Sequence, residues 1–125
     1  MKIEGIITSG HGKGAYFMSQ PVYKTQFKEK LDFIPFPGTL NIKIKDQGLR
    51  KITDTPEDEI GIIYGKKGFG DVKYIKATLN NKIEGALVFP VKTEHPNKIL
   101  EFIAKDNVRE KLAIKDGDLV TLNLP

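Results

Sequence analysis

The sequence contains no cysteine and no tryptophan. Without cysteine, disulfide bonds, thiolate metal ligands and cysteine nucleophiles are all excluded. No apolar run approaches the roughly 20 residues that a membrane-spanning helix needs. The first ten residues, MKIEGIITSG, also lack the apolar stretch of a signal peptide. With 125 residues, 39% of them hydrophobic, the chain has the size of one globular domain. We therefore expect a single domain over residues 1–125 in a soluble, cytoplasmic protein.

Arginine is scarce: 18 of the 20 basic residues are lysine, and only Arg50 and Arg109 are arginine. Because arginine is the usual reader of guanine edges, this scarcity argues against sequence-specific nucleic-acid recognition. The charge is also uneven, with a net +5 over residues 1–53 and −1 over residues 54–125. A basic N-terminal half suits an anionic ligand, and a phosphorylated small molecule is the better candidate. The alternative is that these lysines only form a solvated surface.

The hydrophobic spacing predicts mostly strands. Alternating or β-branched runs predict strands at residues 2–9, 38–45, 60–64, 72–79, 83–90 and 119–124. Asn80 and Asn81 predict a tight hairpin turn between two of them. Since long helices do not separate these six strands, a doubly wound parallel sheet is disfavoured. We expect a mainly β fold, a small six-stranded β-barrel with two or three short helices.

The helices are predicted from apolar residues at helical spacing. Tyr23, Phe27 and Leu31 recur every four residues after Pro21, which suits the first turn of a helix. Residues 96–104 also show helical spacing, and Asn107 is a candidate N-cap of a short helix that ends near residue 112. The polar stretch 46–59 is interpreted as a loop.

A glycine-rich motif, Gly10-His11-Gly12-Lys13-Gly14, follows the first predicted strand. Glycines let backbone N–H groups approach a ligand closely, and successive N–H groups can form an anion-binding nest. The motif matches neither the Walker A pattern nor the Rossmann fingerprint. From these residues alone, a phosphate-binding loop and an ordinary hairpin loop are both open.

Two further places carry candidate chemistry. In the strand at 38–45, Thr39 and Asn41 lie on one face, and their neutral oxygens suit Mg²⁺ whose shell is completed by substrate phosphates. A solvent-facing polar strand face is the alternative. Thr93, Glu101 and Arg109 form the second candidate group, in which Glu101 could accept a proton from a substrate hydroxyl. A solvated carboxylate is the alternative for Glu101.

Several motifs, taken in order, are those of one known family. They are Ser9-Gly10-His11-Gly12-Lys13-Gly14-Ala15-Tyr16-Phe17, Pro21 and Tyr23, Gly38-Thr39-Leu40-Asn41-Ile42-Lys43, Gly85-Ala86-Leu87-Val88-Phe89-Pro90, Lys92-Thr93 with His95, and Leu112 through Ile114-Lys115-Asp116-Gly117-Asp118. With these motifs the chain resembles the archaeal CTP-dependent riboflavin kinases over nearly its whole length.

The resemblance implies a cradle-loop β-barrel and a phosphotransferase with an alcohol acceptor. The γ-phosphate of CTP would pass to the 5′-hydroxyl of riboflavin, giving FMN and CDP, with Mg²⁺ assisting. The expected partners are riboflavin and CTP, with neither nucleic acid nor membrane, and we expect a monomer.

The resemblance also assigns site residues. The nucleotide-binding residues are Gly10, His11, Gly12, Lys13, Gly14, Ala15 and Tyr16, together with Asp106, Asn107, Val108 and Arg109. Thr39 and Asn41 correspond to the Mg²⁺ ligands. Thr93 and Glu101 correspond to the flavin-binding residues, and Glu101 is also the candidate catalytic residue.

Two other functions are weighed beside this one. A basic small barrel could bind RNA or single-stranded DNA if aromatic residues stacked on bases beside the lysines. Tyr64, Phe69 and Tyr74, near Lys66, Lys67, Lys73 and Lys76, make that arrangement possible. A flavin carrier without kinase activity is the second alternative.

Overall fold

A computed structural model describes residues 1–9, 20–65, 70–90 and 98–125 of the protein. These residues form seven β-strands, three α-helices and a short 3-10 helix at Glu57–Glu59. The strands are β1 (Lys2–Thr8), β2 (Leu40–Ile44), β3 (Ile60–Ile63), β4 (Val72–Leu79), β5 (Ile83–Pro90), β6 (Ile99–Ala104) and β7 (Leu119–Asn123). The helices are α1 (Pro21–Leu31), α2 (Asp46–Thr53) and α3 (Val108–Leu112).

Six of the strands close into an antiparallel barrel. The strand order is β3-β4-β5-β6-β2-β1-β7, and a further pairing of β4 with β7 closes the ring. One edge of β4 is shared, because residues 72–75 pair with β3 while Thr78 and Leu79 pair with β7. Thus β3 extends the sheet beyond the barrel. The predicted mainly β fold, a six-stranded barrel with two or three short helices, is confirmed.

The barrel interior is filled by every second residue of its strands. Ile3 and Ile7 of β1, and Leu40, Ile42 and Ile44 of β2, belong to this core. Leu100 and Phe102 of β6 face the same interior. Since strand side chains alternate between two faces, Thr39, Asn41 and Lys43 are placed on the outer surface.

A second apolar cluster lies on the outside of the barrel. Tyr23 and Phe27 of α1 pack with Ile63 of β3 against Val88 and Ile103 of the barrel wall. The buried stripe predicted for α1 is therefore confirmed at Tyr23 and Phe27, and Leu31 is partly buried beside them. Helix α1 begins with Pro21 in its first turn, as expected.

The prediction of a helix over residues 96–104 is wrong, because β6 occupies residues 99–104. The spacing of Ile99, Phe102 and Ile103 resembles that of a helix because β6 carries apolar residues on both faces. Phe102 points into the barrel core, while Ile103 packs against the outer cluster with α1. Burial on two sides removes the alternation that identifies a strand.

The prediction of a loop over residues 46–59 is also wrong, since α2 and the 3-10 helix lie there. Only a narrow side of α2 is apolar: Ile52 is buried and Leu49 partly buried against the barrel core. Gly48 lies so close to Ile3 and Ile44 that an added Cβ would be 2.8 Å from the Ile3 side chain. Helix α2 therefore covers the end of the barrel where β1 begins and β2 ends.

The predicted turns agree with the structure. Asn80 and Asn81 have φ of 51° and 55°, and Lys82 N–H donates to the Leu79 carbonyl over 2.9 Å. This is the type I′ geometry that a two-residue hairpin turn favours. Asn107 caps α3 by accepting a hydrogen bond from Glu110 N–H at 3.4 Å.

Candidate active site

Two predicted site segments, the start of β2 and residues 106–109, lie at the end of the barrel opposite α2, where β1 ends. The glycine-rich motif follows β1, Thr39 and Asn41 lie at the start of β2, and residues 106–109 follow β6. Strands β1 and β6 are both antiparallel to β2 and flank it. The end of β1, the beginning of β2 and the end of β6 are therefore side by side. Residues 10–16 and Thr93 lie outside the described residues.

Asn41 lies in the middle of a cross-strand row at this end. Its register partners are Thr8 on β1 and Glu101 on β6. The Thr39 hydroxyl donates a hydrogen bond of 3.2 Å to Glu101 Oε1. The structure thus brings Thr39, Asn41 and Glu101 together on the outer face of the barrel. Glu101 lies on strand β6 and not on the helix predicted for residues 96–104.

The donor set fits a magnesium ion that is also bound by phosphate. It comprises one hydroxyl, one amide oxygen and one nearby carboxylate, all oxygen donors of the kind that Mg²⁺ prefers. No group of three or more His, Cys, Asp or Glu residues suited to a metal occurs among the described residues. A site with so little protein charge matches a cation that reaches the protein together with a polyphosphate.

A cleft of about 200 Å³ opens beside this row. Its walls include Thr39 and all four residues of 106–109, and Phe36, Leu40 and Phe102 supply apolar surface. Phe36 is held there by its N–H, which donates to the Ala104 carbonyl over 2.8 Å. Apolar walls with a few placed polar groups are typical of small-molecule sites. Sequence reasoning missed Phe36, because an aromatic residue in a connecting segment indicates packing as readily as a binding site.

Arg109 connects α3 to the end of β1. Its Nη2 donates to the Thr8 carbonyl at 3.3 Å and to Asp116 Oδ1 at 2.7 Å. The other carboxylate oxygen of Asp116 accepts a hydrogen bond from the Ser9 hydroxyl. The hydrogen bond from Ser9, followed by the one from Arg109, holds the pKa of Asp116 below its usual value. Sequence reasoning missed the contacts of Asp116 with Ser9 and Arg109.

The aromatic residues weighed for nucleic-acid binding are arranged differently from a stacking platform. Tyr64 is exposed, with the Lys30 ammonium 4.9 Å from its ring centre. Tyr74 is partly buried, and its ring covers Gly61, where an added Cβ would lie 2.0 Å from Cζ. Phe69, Lys66 and Lys67 lie outside the described residues. Of the two described tyrosines, only Tyr64 has an exposed ring on which a base could stack.

Comparison with known proteins identifies the family. Residues 7–124 match the model of the CTP-dependent riboflavin kinase family, whose description reads "Domain of unknown function DUF120". The chain belongs to this family. Among its relatives, riboflavin kinase of Methanobrevibacter smithii is 49% identical over 122 residues, covering 98% of each chain. Riboflavin kinase of Methanothermobacter thermautotrophicus is 49% identical over 116 residues, covering 93% of each chain.

A third relative is longer than this chain. Riboflavin kinase of Archaeoglobus fulgidus is 41% identical over 128 residues, which cover 99% of this chain and 54% of the relative. Membership in the CTP-dependent riboflavin kinase family confirms the resemblance seen in the sequence motifs. Among the helices in the described part of the chain, none is both long and apolar enough to cross a membrane.

Proposed function

We propose that this chain transfers the γ-phosphate of CTP to the 5′-hydroxyl of riboflavin, giving FMN and CDP. The observation that carries the proposal is the convergence of Thr39, Asn41, Glu101 and residues 106–109 at one barrel end. The near full-length match to riboflavin kinases supports it. Cytoplasmic location, a monomeric state and a single domain stay predictions from the sequence.

The nucleotide is assigned to two segments. Backbone N–H groups of the glycine-rich motif, residues 10–14, with Ala15 and Tyr16, bind the phosphates of CTP. Residues 106–109 line the cleft and contact the cytidine side of the nucleotide. Since phosphoryl transfer depends on positioning and charge neutralisation, backbone donors and one arginine suffice for this part.

The magnesium ligands in this proposal are Thr39 Oγ1 and Asn41 Oδ1. When bound there, Mg²⁺ neutralises charge on the transferred phosphoryl group. The Thr39 hydroxyl donates a hydrogen bond to Glu101, so an oxygen lone pair of Thr39 stays available as a ligand.

The flavin is assigned to Thr93 and Glu101. Glu101 orients the 5′-hydroxyl of riboflavin and accepts its proton as the oxygen attacks the γ-phosphorus. Because Glu101 is only partly buried and lies opposite Asn41, its carboxylate is reachable by a substrate next to the metal ligands.

The test is an FMN assay with riboflavin, Mg²⁺ and either CTP or ATP. FMN and CDP should form with CTP. Thr39→Ala and Asn41→Ala should each lower turnover by about 100-fold, the order that removal of one charge-stabilising group costs. Raised Mg²⁺ should restore part of the activity if the loss reflects weaker metal binding.

Lys43→Ala is the matched control, because Lys43 is exposed on the same strand face one pleat further along. Its turnover should stay within twofold of the wild type. Wild-type turnover in the Thr39→Ala, Asn41→Ala double variant would refute the metal assignment. Riboflavin binding without FMN formation would favour a flavin carrier. Oligonucleotide binding that is lost steeply with added salt would favour a nucleic-acid module.

A further inference from the structure

Asp116 joins Arg109, which the proposed function assigns to the nucleotide, to Ser9, which directly precedes the other nucleotide segment. Its carboxylate accepts from the Ser9 hydroxyl on one oxygen and from Arg109 Nη2, at 2.7 Å, on the other. Ser9 is the residue directly before the glycine-rich motif, and Arg109 belongs to the cleft wall. Arg109 also donates to the Thr8 carbonyl, which fixes the guanidinium against the end of β1. One carboxylate therefore contacts both the residue that leads into the glycine-rich motif and an arginine of the cleft wall.

The turn that carries Asp116 is held without its side chain. Gly117 N–H donates to the Ile7 carbonyl over 2.8 Å, and Ile7 N–H donates to the Asp118 carbonyl over 2.9 Å. Within the turn, Asp118 closes the loop through its own side chain, which accepts from Lys115 N–H at 2.9 Å. Since the backbone already fixes this turn, removal of the Asp116 carboxylate should leave the fold in place.

The exposure of the pair also argues against a role in stability. The side chains of Arg109 and Asp116 are 39% and 52% exposed. Ion pairs so open to water contribute little to the free energy of unfolding. An ion pair can still fix the direction of a planar guanidinium, which has five N–H donors in a rigid fork. The two hydrogen bonds of the Arg109 guanidinium to described residues, those to Thr8 and Asp116, both start from Nη2.

We infer that Asp116 is a positioning residue for the phosphate-donor nucleotide and acts through Arg109 and Ser9 without touching the nucleotide. The inference rests on the proposed function. It predicts the direction in which nucleotide affinity changes when the Asp116 carboxylate is removed. A negative charge near a polyphosphate repels it, so removal of the charge alone would tighten binding. Removal of a positioning contact weakens binding instead.

The experiment measures CDP affinity by calorimetry and the KM for CTP and for riboflavin. In Asp116→Ala, the Kd for CDP and the KM for CTP should rise by about tenfold, the order of one lost charge-assisted hydrogen bond. The KM for riboflavin should stay within about twofold. Asp116→Asn keeps an acceptor for Ser9 but loses the charge opposite Arg109, so its Kd should lie between wild type and Asp116→Ala.

Asp118→Asn is the matched control, because it removes the same charge from the same turn and leaves Ser9 and Arg109 paired with Asp116. Its Kd for CDP should be equal to or lower than that of the wild type. In an Arg109→Ala background, Asp116→Ala should raise the Kd for CDP by less than a further twofold, because Asp116 acts mainly through Arg109. Circular dichroism and the Tm of each variant verify folding. If Asp116→Ala does not fold, Asp116→Asn and Ser9→Ala decide the question.

An unchanged or lower Kd for CDP in the folded Asp116 variants would overturn the inference. The failure of the proposed function looks different. A wild type that binds CDP but makes no FMN would refute the kinase assignment, while the CDP affinities of the variants would still decide the role of Asp116. A wild type that does not bind CDP would overturn both.

Discussion

At the residue scale, the site depends on which side chains a strand register places opposite each other. Thr39 directly precedes β2, Asn41 lies two residues further on, and Asn41 is the partner of Glu101 on β6. The 3.2 Å hydrogen bond from Thr39 to Glu101 links the proposed metal ligands to the proposed proton acceptor. A substrate hydroxyl bound between them would meet a carboxylate on one side and a cation on the other.

Glu101→Gln tests the proton-accepting role of this carboxylate. Glutamine keeps the shape and an oxygen acceptor for the Thr39 hydroxyl, but it cannot take a proton from riboflavin. We expect kcat to fall by about 10²- to 10⁴-fold, the range for loss of a general base. The Kd for CDP, measured by calorimetry, should be unchanged. Steady-state kinetics with CTP and riboflavin measures the loss.

Glu84→Gln is the control for Glu101→Gln, since Glu84 is an exposed glutamate on the neighbouring strand β5, opposite Thr78. It should leave kcat unaltered. If Glu101→Gln retained kcat within twofold of the wild type, the carboxylate would only orient the substrate or Thr39, and the proton would leave by another route.

Much of this residue pattern follows from the sequence. The period of two places Thr39 and Asn41 on one face, and the family motifs add Glu101 and residues 106–109. The contact of Asp116 with Ser9 and Arg109 does not follow, because it joins residues 107 and 7 positions apart through a turn and a barrel closure. Sequence spacing carries no information about such a pairing.

At the element scale, β6 was predicted as a helix and α2 as a loop, because the conformation of both depends on what they pack against. Strand β6 has buried apolar residues on both sides, because one face lies in the barrel core and Ile103 on the other packs in the cluster with α1. Helix α2 has only a narrow apolar side against the barrel end, so its sequence is as polar as that of a loop. Its first residue, Asp46, accepts a hydrogen bond from Lys98 at 2.8 Å, which lowers the pKa of Asp46. The local spacing of apolar residues does not show that α1 packs on β6 or that α2 packs on the barrel end.

Gly85 tests how closely β5 and β6 pack. A Cβ at this position would lie 2.0 Å from the Ile103 carbonyl oxygen and 2.6 Å from Phe102 Cζ. Because one obstacle is backbone, a side-chain rotation cannot relieve it. We expect Gly85→Ala to lower the free energy of unfolding by about 1–3 kcal/mol, and the Tm by several degrees. Urea and thermal unfolding followed by circular dichroism measure both.

Gly70→Ala is the matched control, because no heavy atom lies within 4 Å of the position that its Cβ would take. The hydrogen bond from the Tyr23 hydroxyl to the Gly70 carbonyl involves only backbone at residue 70 and survives the substitution. Its stability should stay within about 0.5 kcal/mol of the wild type. Equal stability of the two variants would mean that β5 and β6 separate at little cost.

At the scale of the whole molecule, the barrel closes through its last strand. Strand β7 pairs with β1 along its length and with the end of β4. The sequence predicts six strands, and the barrel has six, but the two sets differ. Strand β3 was counted although it lies beyond the ring, and β6 was missed although it is part of it. Strand count and the absence of long helices are readable from sequence, whereas the pairing order depends on contacts far apart in the chain.

Leu122 lies where this closure is made, since it is the partner of Ile3 on β1 and of Leu79 on β4. Its side chain is 1% exposed within the barrel core. Leu122→Ala should lower the free energy of unfolding by about 2–5 kcal/mol, the range for such a cavity. Leu119→Ala is the control in the same strand, because Leu119 is 65% exposed, and it should change stability by less than about 0.5 kcal/mol.

The closed ring predicts a further property of the Leu122→Ala variant. Because β7 is held on both edges, loss of its packing should destabilise the strands on either side together, and unfolding should stay a single transition. Circular dichroism and tyrosine fluorescence should therefore report the same midpoint in urea. An earlier transition seen by only one of the two probes would show that β7 detaches first. The remaining strands would then be stable as an open sheet.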